Sequence, residues 1–213
     1  MWLTGRVGYK FPQFYVFAEA SGVWQQFSNS TFNTNGYRVV GGVGQANPGS
    51  LWAWEAYGGY MVQNQQNSEL LPSGVPSGIP ADTNSGIFCG RLSWYPTPYW
   101  TLIAQVDETL GVSTFPTLVT PAGTPNLATT AILQTTYGLS RLWSIGARVG
   151  YTRSDYIGFD RLDNGWLAGA SFNYEIWRNL ALTLDYQYTQ VNSNVQFAGF
   201  TRNQYTAGLT YRY

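Results

Sequence analysis

Apolar and polar residues alternate with a period of two along most of the chain, most cleanly over its last nine residues. Tyr205, Ala207, Leu209, Tyr211 and Tyr213 share one face of an extended strand, while Gln204, Thr206, Gly208, Thr210 and Arg212 share the other. Ten earlier runs repeat the pattern: 2–10, 14–27, 35–46, 51–64, 85–95, 99–112, 128–139, 143–156, 164–176 and 180–192, with 201–213 as the eleventh. Between them lie connections that are alternately tight and long. The tight ones are Phe11-Pro12-Gln13, Asn47-Pro48-Gly49-Ser50, Pro96-Thr97-Pro98, Ser140-Arg141-Leu142 and Trp177-Arg178-Asn179, most of them carrying the Pro, Gly and Asn of turns. The longest run over 65–84 and 113–127. This predicts an all-β, antiparallel, up-and-down sheet of about 11 to 12 strands.

Short turns on one side and long loops on the other are the layout of a transmembrane β-barrel. A soluble antiparallel sandwich also alternates, but it has no reason to keep that rhythm. Composition separates the two. The 213 residues include 24 Gly, 9 Trp and 16 Tyr, and only 10% are charged, against roughly 25% in soluble domains. Mean hydropathy is near neutral, and no window holds the roughly 18 consecutive apolar residues of a spanning helix. The reading is a single transmembrane barrel domain over 1–213.

Single-chain bacterial barrels have even strand numbers with both termini in the periplasm. Counted back from the last run, the first one starts on the long-loop side, so one strand, or another odd number, is expected before it. An unpaired first strand would recruit an upstream strand or a neighbouring chain, giving a homo-oligomer or a larger assembly. No charged stretch followed by an apolar core opens the sequence, which fits a mature or truncated form.

Parity assigns the faces. Outward sets include Phe14, Val16, Ala18, Ala20 and Trp24; Trp52, Trp54, Ala56, Tyr60 and Val62; and Trp100, Leu102, Ala104 and Val106. Trp24, Trp52, Trp94, Trp100, Tyr137, Trp143 and Tyr174 fall near run ends, where aromatic girdles meet the membrane interfaces. The opposite parity collects Arg6, Glu19, Arg38, Glu55, Arg91, Asp107, Arg148, Asp185 and Arg212. Against lipid each Arg would cost roughly 2–4 kcal/mol at the midplane, so these charges are expected to face inward as an irregular belt at middle depth. Opposite charges on neighbouring strands can pair there for a few tenths to about 1 kcal/mol each. The belt admits two roles, a salt-bridged plug holding a narrow lumen together or the constriction of a channel for small polar solutes.

Several short segments then carry a family resemblance: Gly36-Tyr37-Arg38-Val39, Arg91-Leu92-Ser93-Trp94-Tyr95-Pro96-Thr97, Tyr137-Gly138-Leu139-Ser140-Arg141-Leu142, Tyr156-Ile157-Gly158-Phe159-Asp160-Arg161-Leu162-Asp163, Tyr174-Glu175-Ile176-Trp177-Arg178-Asn179-Leu180, Ser193-Asn194 and Thr201-Arg202-Asn203. In this order and spacing the chain resembles the C-terminal part of the second family of outer-membrane β-barrel porins, often found near exopolysaccharide genes in proteobacteria. The resemblance implies a bacterial outer-membrane location, a porin-like or export-associated role, and no catalytic residues. A closing strand with a terminal aromatic also resembles outer-membrane barrels whose last strand carries the insertion signal, here Tyr205, Leu209, Tyr211 and Tyr213. Implied partners are outer-membrane lipid, lipopolysaccharide and the barrel assembly machinery.

The remaining chemistry is mostly exclusion. The chain has no His, which removes Ser-His and Asp-His mechanisms and any imidazole metal ligand. Eleven basic and eleven acidic residues leave no net charge and no support for nucleic-acid binding. Asp160 and Asp163, with Asn164 and Asn192 to Asn194, are expected to cap turns or hold a cation weakly, without an EF-hand spacing. Cys89 cannot form an intramolecular disulfide and is expected to be a small strand filler. Gly41-Gly42-Val43-Gly44 lacks a following helix and reads as strand, not as a phosphate cradle. No cofactor, metal site or enzymatic activity is expected.

Overall fold

The computed structural model describes residues 2–25, 33–45, 50–65, 82–113, 117, 119–121 and 124–211. They form eleven strands: β1 (Trp2–Lys10), β2 (Tyr15–Gln25), β3 (Thr34–Gln45), β4 (Trp52–Gln65), β5 (Asp82–Thr97), β6 (Trp100–Val112), β7 (Pro125–Gly138), β8 (Trp143–Tyr156), β9 (Leu162–Trp177), β10 (Leu180–Ser193) and β11 (Phe200–Tyr211). Each strand pairs antiparallel with the next in chain order, and β1 and β11 stand at the two edges of the sheet. The predicted bounds lie close to the observed ones, the largest differences being 85 against 82 and 128 against 125. Residues 212–213 fall outside the described set, so Arg212 and Tyr213 are not placed.

Cross-strand partners share a face, so the ladders extend each strand's parity over the whole sheet. On the outer face one row runs Trp54, Leu92, Ala104, Leu133 and Val149, and the next runs Ala56, Gly90, Val106, Ala131, Tyr151 and Trp166. Val7, Val39, Val106 and Val149, together with Leu3, Leu133 and Leu184, are all exposed there. A broad apolar surface of this kind suits lipid and is unusual on a soluble monomer.

The sheet curls, and the direction follows from one contact. Arg6 on β1 reaches Glu55 on β4 at 2.7 Å. In register Arg6 is level with Glu19, Val40 and Gly59, four residues from Glu55. On a flat sheet their Cα atoms would stand roughly 19 Å apart, three strand spacings across and four residues along. The contact forms only because that face is concave.

A buried apolar cluster also lies on the concave face. Phe17, Val40 and Ile87 form a cluster flanked by Tyr15, Tyr57 and Met61. Curvature brings inward side chains together and spreads outward ones apart, so the outer apolar residues stay exposed while a small apolar patch is enclosed. Half-buried Cys89 faces the same side opposite Tyr57, as a strand residue without a disulfide.

Candidate functional site

The concave face carries eight of the nine charges that parity assigned to it, Arg212 lying outside the described residues. On its β1–β4 side, Arg6 donates to Glu55 through Nη2 at 2.7 Å, and its Nη1 lies 3.9 Å from Glu19. Glu19 also accepts from Arg38, and the Tyr15 hydroxyl donates to Glu55 at 2.6 Å. The Arg6 guanidinium lies 3.5 Å from the Phe17 ring centroid, so the apolar patch supports the charge from beneath. Arg38 lies 5.9 Å from the Tyr57 ring.

A second cluster spans β8 to β10. Arg148 grips Asp185 with two parallel hydrogen bonds, Nη1 to Oδ2 at 3.0 Å and Nη2 to Oδ1 at 2.7 Å, and gives a third to Gln187 at 3.0 Å. Such a fork fixes orientation as well as charge. Between the clusters stand Arg91 and Asp107. Arg91 is exposed and level with Glu55 in register, yet Glu55 turns to Arg6 and Tyr15. Asp107 accepts from Gln105 at 3.1 Å. Among the described residues neither Arg91 nor Asp107 makes an ion pair.

The expectation that neighbouring strands would pair their charges therefore needs correction. Arg6–Glu19 and Glu19–Arg38 follow it, but Arg6–Glu55 and Arg148–Asp185 skip strands, and Arg91 with Asp107 stays unpaired. Curvature is the reason, since it lowers the distance between non-neighbours on the inner face. Sequence reasoning missed Tyr15, Phe17 and Gln187, whose parity alone marks them as inward.

Six of the seven girdle aromatics gather at the short-turn end of the outer face. Trp52 stacks on Trp94 at 5.2 Å, Trp94 lies 5.9 Å from Trp100, and Trp100 is the register partner of Tyr137. Trp143 packs edge-on against Tyr174 at 5.2 Å. Trp24 sits at the opposite end, where Tyr37 and Tyr60 on β3 and β4 and the Tyr151–Trp166 pair, 4.9 Å between centroids, continue an upper row. On β11, Tyr205, Leu209 and Tyr211 lie on the outer face, and Tyr205 lies 5.0 Å from Tyr186.

At the long-loop end the FDRLDN segment forms a buried latch. Arg161 donates to Asp163 through Nε at 3.1 Å and Nη2 at 2.6 Å, and to the Thr120 hydroxyl through Nη1 at 2.7 Å. Its guanidinium covers the Tyr156 ring at 4.1 Å, and the Tyr156 hydroxyl donates to Asp163 at 3.0 Å. The latch ties residue 120, between β6 and β7, to the β8–β9 connection. Asp163 is thus committed to an ion pair, whereas Asn194 accepts from the Leu162 backbone and donates to the Asp160 carbonyl as a turn residue does. Among the described residues no three His, Cys, Asp or Glu gather as metal ligands. The signal for Arg161 was its spacing of two from Asp163, just before β9 begins.

Tyr156 stands eight residues beyond Arg148, roughly 20 Å up a tilted strand, and Asp163 is level with Ser154, roughly 15 Å up. With the belt at the middle of an apolar band roughly 25 Å tall, both lie outside it. Burial pushes the Tyr156 phenol up to about 12, and the Asp163 charge adds to this. Burial also works against the Asp163 carboxylate, but hydrogen bonds from Arg161, Ser193 and Tyr156 prevail and hold it below the usual range. A depressed carboxylate contributes stability above its unfolded pKa, about 3.9, and loses it as pH falls through the lower folded value. The latch should thus persist from neutral pH down to about 4 and open only below that. Asp163→Asn should open it at neutral pH, at a cost of about 1–3 kcal/mol. Hydrogen exchange of residues 119, 120 and 157–163 reads both effects, and unchanged protection in the variant would refute them.

Comparison with known proteins adds family and fold. The family model described as Putative beta-barrel porin 2 matches residues 1–213. No protein of curated function matches the sequence. Among solved structures, the chain is similar to OmpT, an outer membrane protein of Vibrio cholerae. The loop L8 deletion mutant superposes with TM-score 0.60 at 13% identity, covering 98% of this chain and 62% of that one. The in-vitro folded trimer form superposes with TM-score 0.60 at 14% identity, covering 98% of this chain and 64% of that one. This chain therefore spans less than two thirds of those relatives, and at such identities the likeness is one of fold. A sheet with a lipid-suited outer face, charges on its inner face, barrel neighbours and a family match over its whole length lead to one conclusion: the chain belongs to the Putative beta-barrel porin 2 family of bacterial outer-membrane β-barrels.

Proposed function

We propose that the protein lets small polar solutes cross the outer membrane through a water-filled lumen, with the concave charges as its selectivity element, and that it catalyses no reaction. The observation that carries this reading is the unpaired middle of the belt. Arg91 and Asp107 face the lumen without ion-pair partners, as solvated charges do, between two clusters whose charges are ion-paired. Charges of both signs beside a water path orient polar solutes and give weak ion selectivity. The family supports a porin-like role.

A second reading rests on Arg6, whose reach to Glu55 ties β1 to β4 above the Phe17 cluster. If such ties close the lumen, the barrel is a structural or docking protein, the segments between β4 and β5 and between β6 and β7, much of which lies outside the described residues, meeting a partner, in association with exopolysaccharide export. Under either reading the outer rows meet lipid and lipopolysaccharide, and the outer face of β11 is read by the assembly machinery. The β1 edge pairs with a further strand, because lipid leaves free backbone groups unsatisfied. Liposomes carrying the folded full chain should swell several-fold faster than empty ones in an iso-osmotic solution of a small neutral sugar. Swelling no faster than empty liposomes would favour the closed barrel.

A further inference from the structure

The outer face holds a groove that solute passage does not use. It is shallow and open, with a volume of about 570 Å³. Its floor is made of Gly90, Ala104 and Ala131, and its walls include Trp54, Tyr151 and Trp166. The ladders explain its shape. Gly90, Ala104 and Ala131 are diagonal neighbours across β5, β6 and β7, each beside a larger residue of its own row, and Trp54 on β4, Tyr151 on β8 and Trp166 on β9 stand at the two sides.

The row directly above is polar, although it belongs to the outer face. Glu108, Thr129, Arg153 and Asn164 are successive register partners from β6 to β9, each two residues from a groove residue on its own strand. Thr129 donates to Glu108 at 2.8 Å, and the Tyr151 hydroxyl donates to Asn164 at 2.7 Å, leaving the Asn164 amide free to donate. Arg153 is exposed and makes no ion pair among the described residues. It lies ten residues from Trp143 in the lower girdle, roughly 25 Å along a tilted strand, which is the height of the apolar band. An outward, unpaired guanidinium thus stands at the upper interface over a preformed apolar groove.

We propose that this is a binding site for one molecule of lipid A, the phosphorylated glycolipid anchor of lipopolysaccharide. An acyl chain fills the groove, Arg153 holds a phosphate through charge-assisted hydrogen bonds, and Asn164 and Glu108 meet the sugar hydroxyls. Two outward carboxylates stand nearby, Glu108 two strand spacings from Arg153, roughly 10 Å, and Asp155 two residues along its own strand, roughly 7 Å; neither pairs with it, so its guanidinium stays open to a phosphate. Long loops mark the outward side of such barrels, and lipopolysaccharide occupies that leaflet. The proposal rests on the outer-membrane location and is independent of whether solutes pass.

Native mass spectrometry of the folded full chain tests it, with diphosphorylated lipid A, phosphatidylethanolamine or phosphatidylglycerol added in detergent. One lipid A should remain bound per chain after delipidation. Arg153→Gln and Ala131→Trp, which fills the floor, should each weaken retention at least fivefold. Arg153→Lys should keep most of it, and Arg141→Gln at a short turn should change nothing. Heat-modifiable migration shows that each variant is folded. Should Ala131→Trp not fold, the Arg153 series carries the test alone. Equal retention by Arg153→Gln, equal retention of the two phospholipids, or a second copy of the chain filling the groove would each overturn the proposal.

Discussion

Gly59→Leu is expected to prevent the barrel wall from forming. Gly59 lies on the concave face of β4 opposite Val40, which is only 2% exposed. A Cβ at this position would stand 2.1 Å from the Val39 carbonyl oxygen and 2.6 Å from the Val40 Cα. Those are backbone atoms of the neighbouring strand, so relief requires β3 and β4 to part. Gly42 shows the same crowding, with the Phe17 ring 2.5 Å and the Ala56 carbonyl oxygen 2.7 Å from the position of an added Cβ. Glycine on the inner face is what lets β2, β3 and β4 curl tightly enough for Arg6 to meet Glu55. The expected cost of Gly59→Leu exceeds about 4 kcal/mol. Gly58, on the outer face with its nearest neighbour at 3.8 Å, should accept Ala at little cost. The fraction of refolded protein that migrates as folded on an unheated gel measures both. Equal refolding of Gly59→Leu and Gly58→Ala would contradict the account.

The second large effect concerns which face meets lipid. Val106 lies on the outer face, 37% exposed, and Val106→Arg is expected to cost about 2–4 kcal/mol in a bilayer. Thr130, on the inner face, is the register partner of Asp107, so Thr130→Arg offers that carboxylate a neighbour and should be neutral or slightly stabilising. Urea unfolding from lipid vesicles separates them. Comparable costs for the two substitutions would mean that the faces are assigned the wrong way round.

The strand pattern was readable because a sheet wet on one side and lipid-bound on the other must alternate at every position. A one-residue slip would move Arg148 or Glu55 into hydrocarbon. Turn chemistry at Pro12, Pro98 and Asn179 then set the neighbouring bounds to within two residues, while the start of β7, after a long connection, was three residues off, 128 against 125. The enclosed cluster was not readable. Phe17, Val40 and Ile87 look like outward residues by type, and only parity says otherwise; Val39-Val40 is the one place where apolar side chains occupy both faces in succession on β3. Contacts across the curve, such as Arg148 to Asp185, depend on curvature, which the period of two does not encode. The latch was half visible. The carboxylates of FDRLDN stood out, while Arg161, which grips Asp163, was not singled out.

Single-channel recording of the folded full chain in a planar bilayer is the most direct test of the central claim, that the concave charges line a water path. The account predicts stable open currents. Arg91→Glu should shift the reversal potential in a salt gradient toward cation preference by a few-fold in permeability ratio, and Asp107→Asn should shift it the other way. A folded protein that passes no current until Arg6 or Glu55 is replaced would contradict it, and would make the charges a plug.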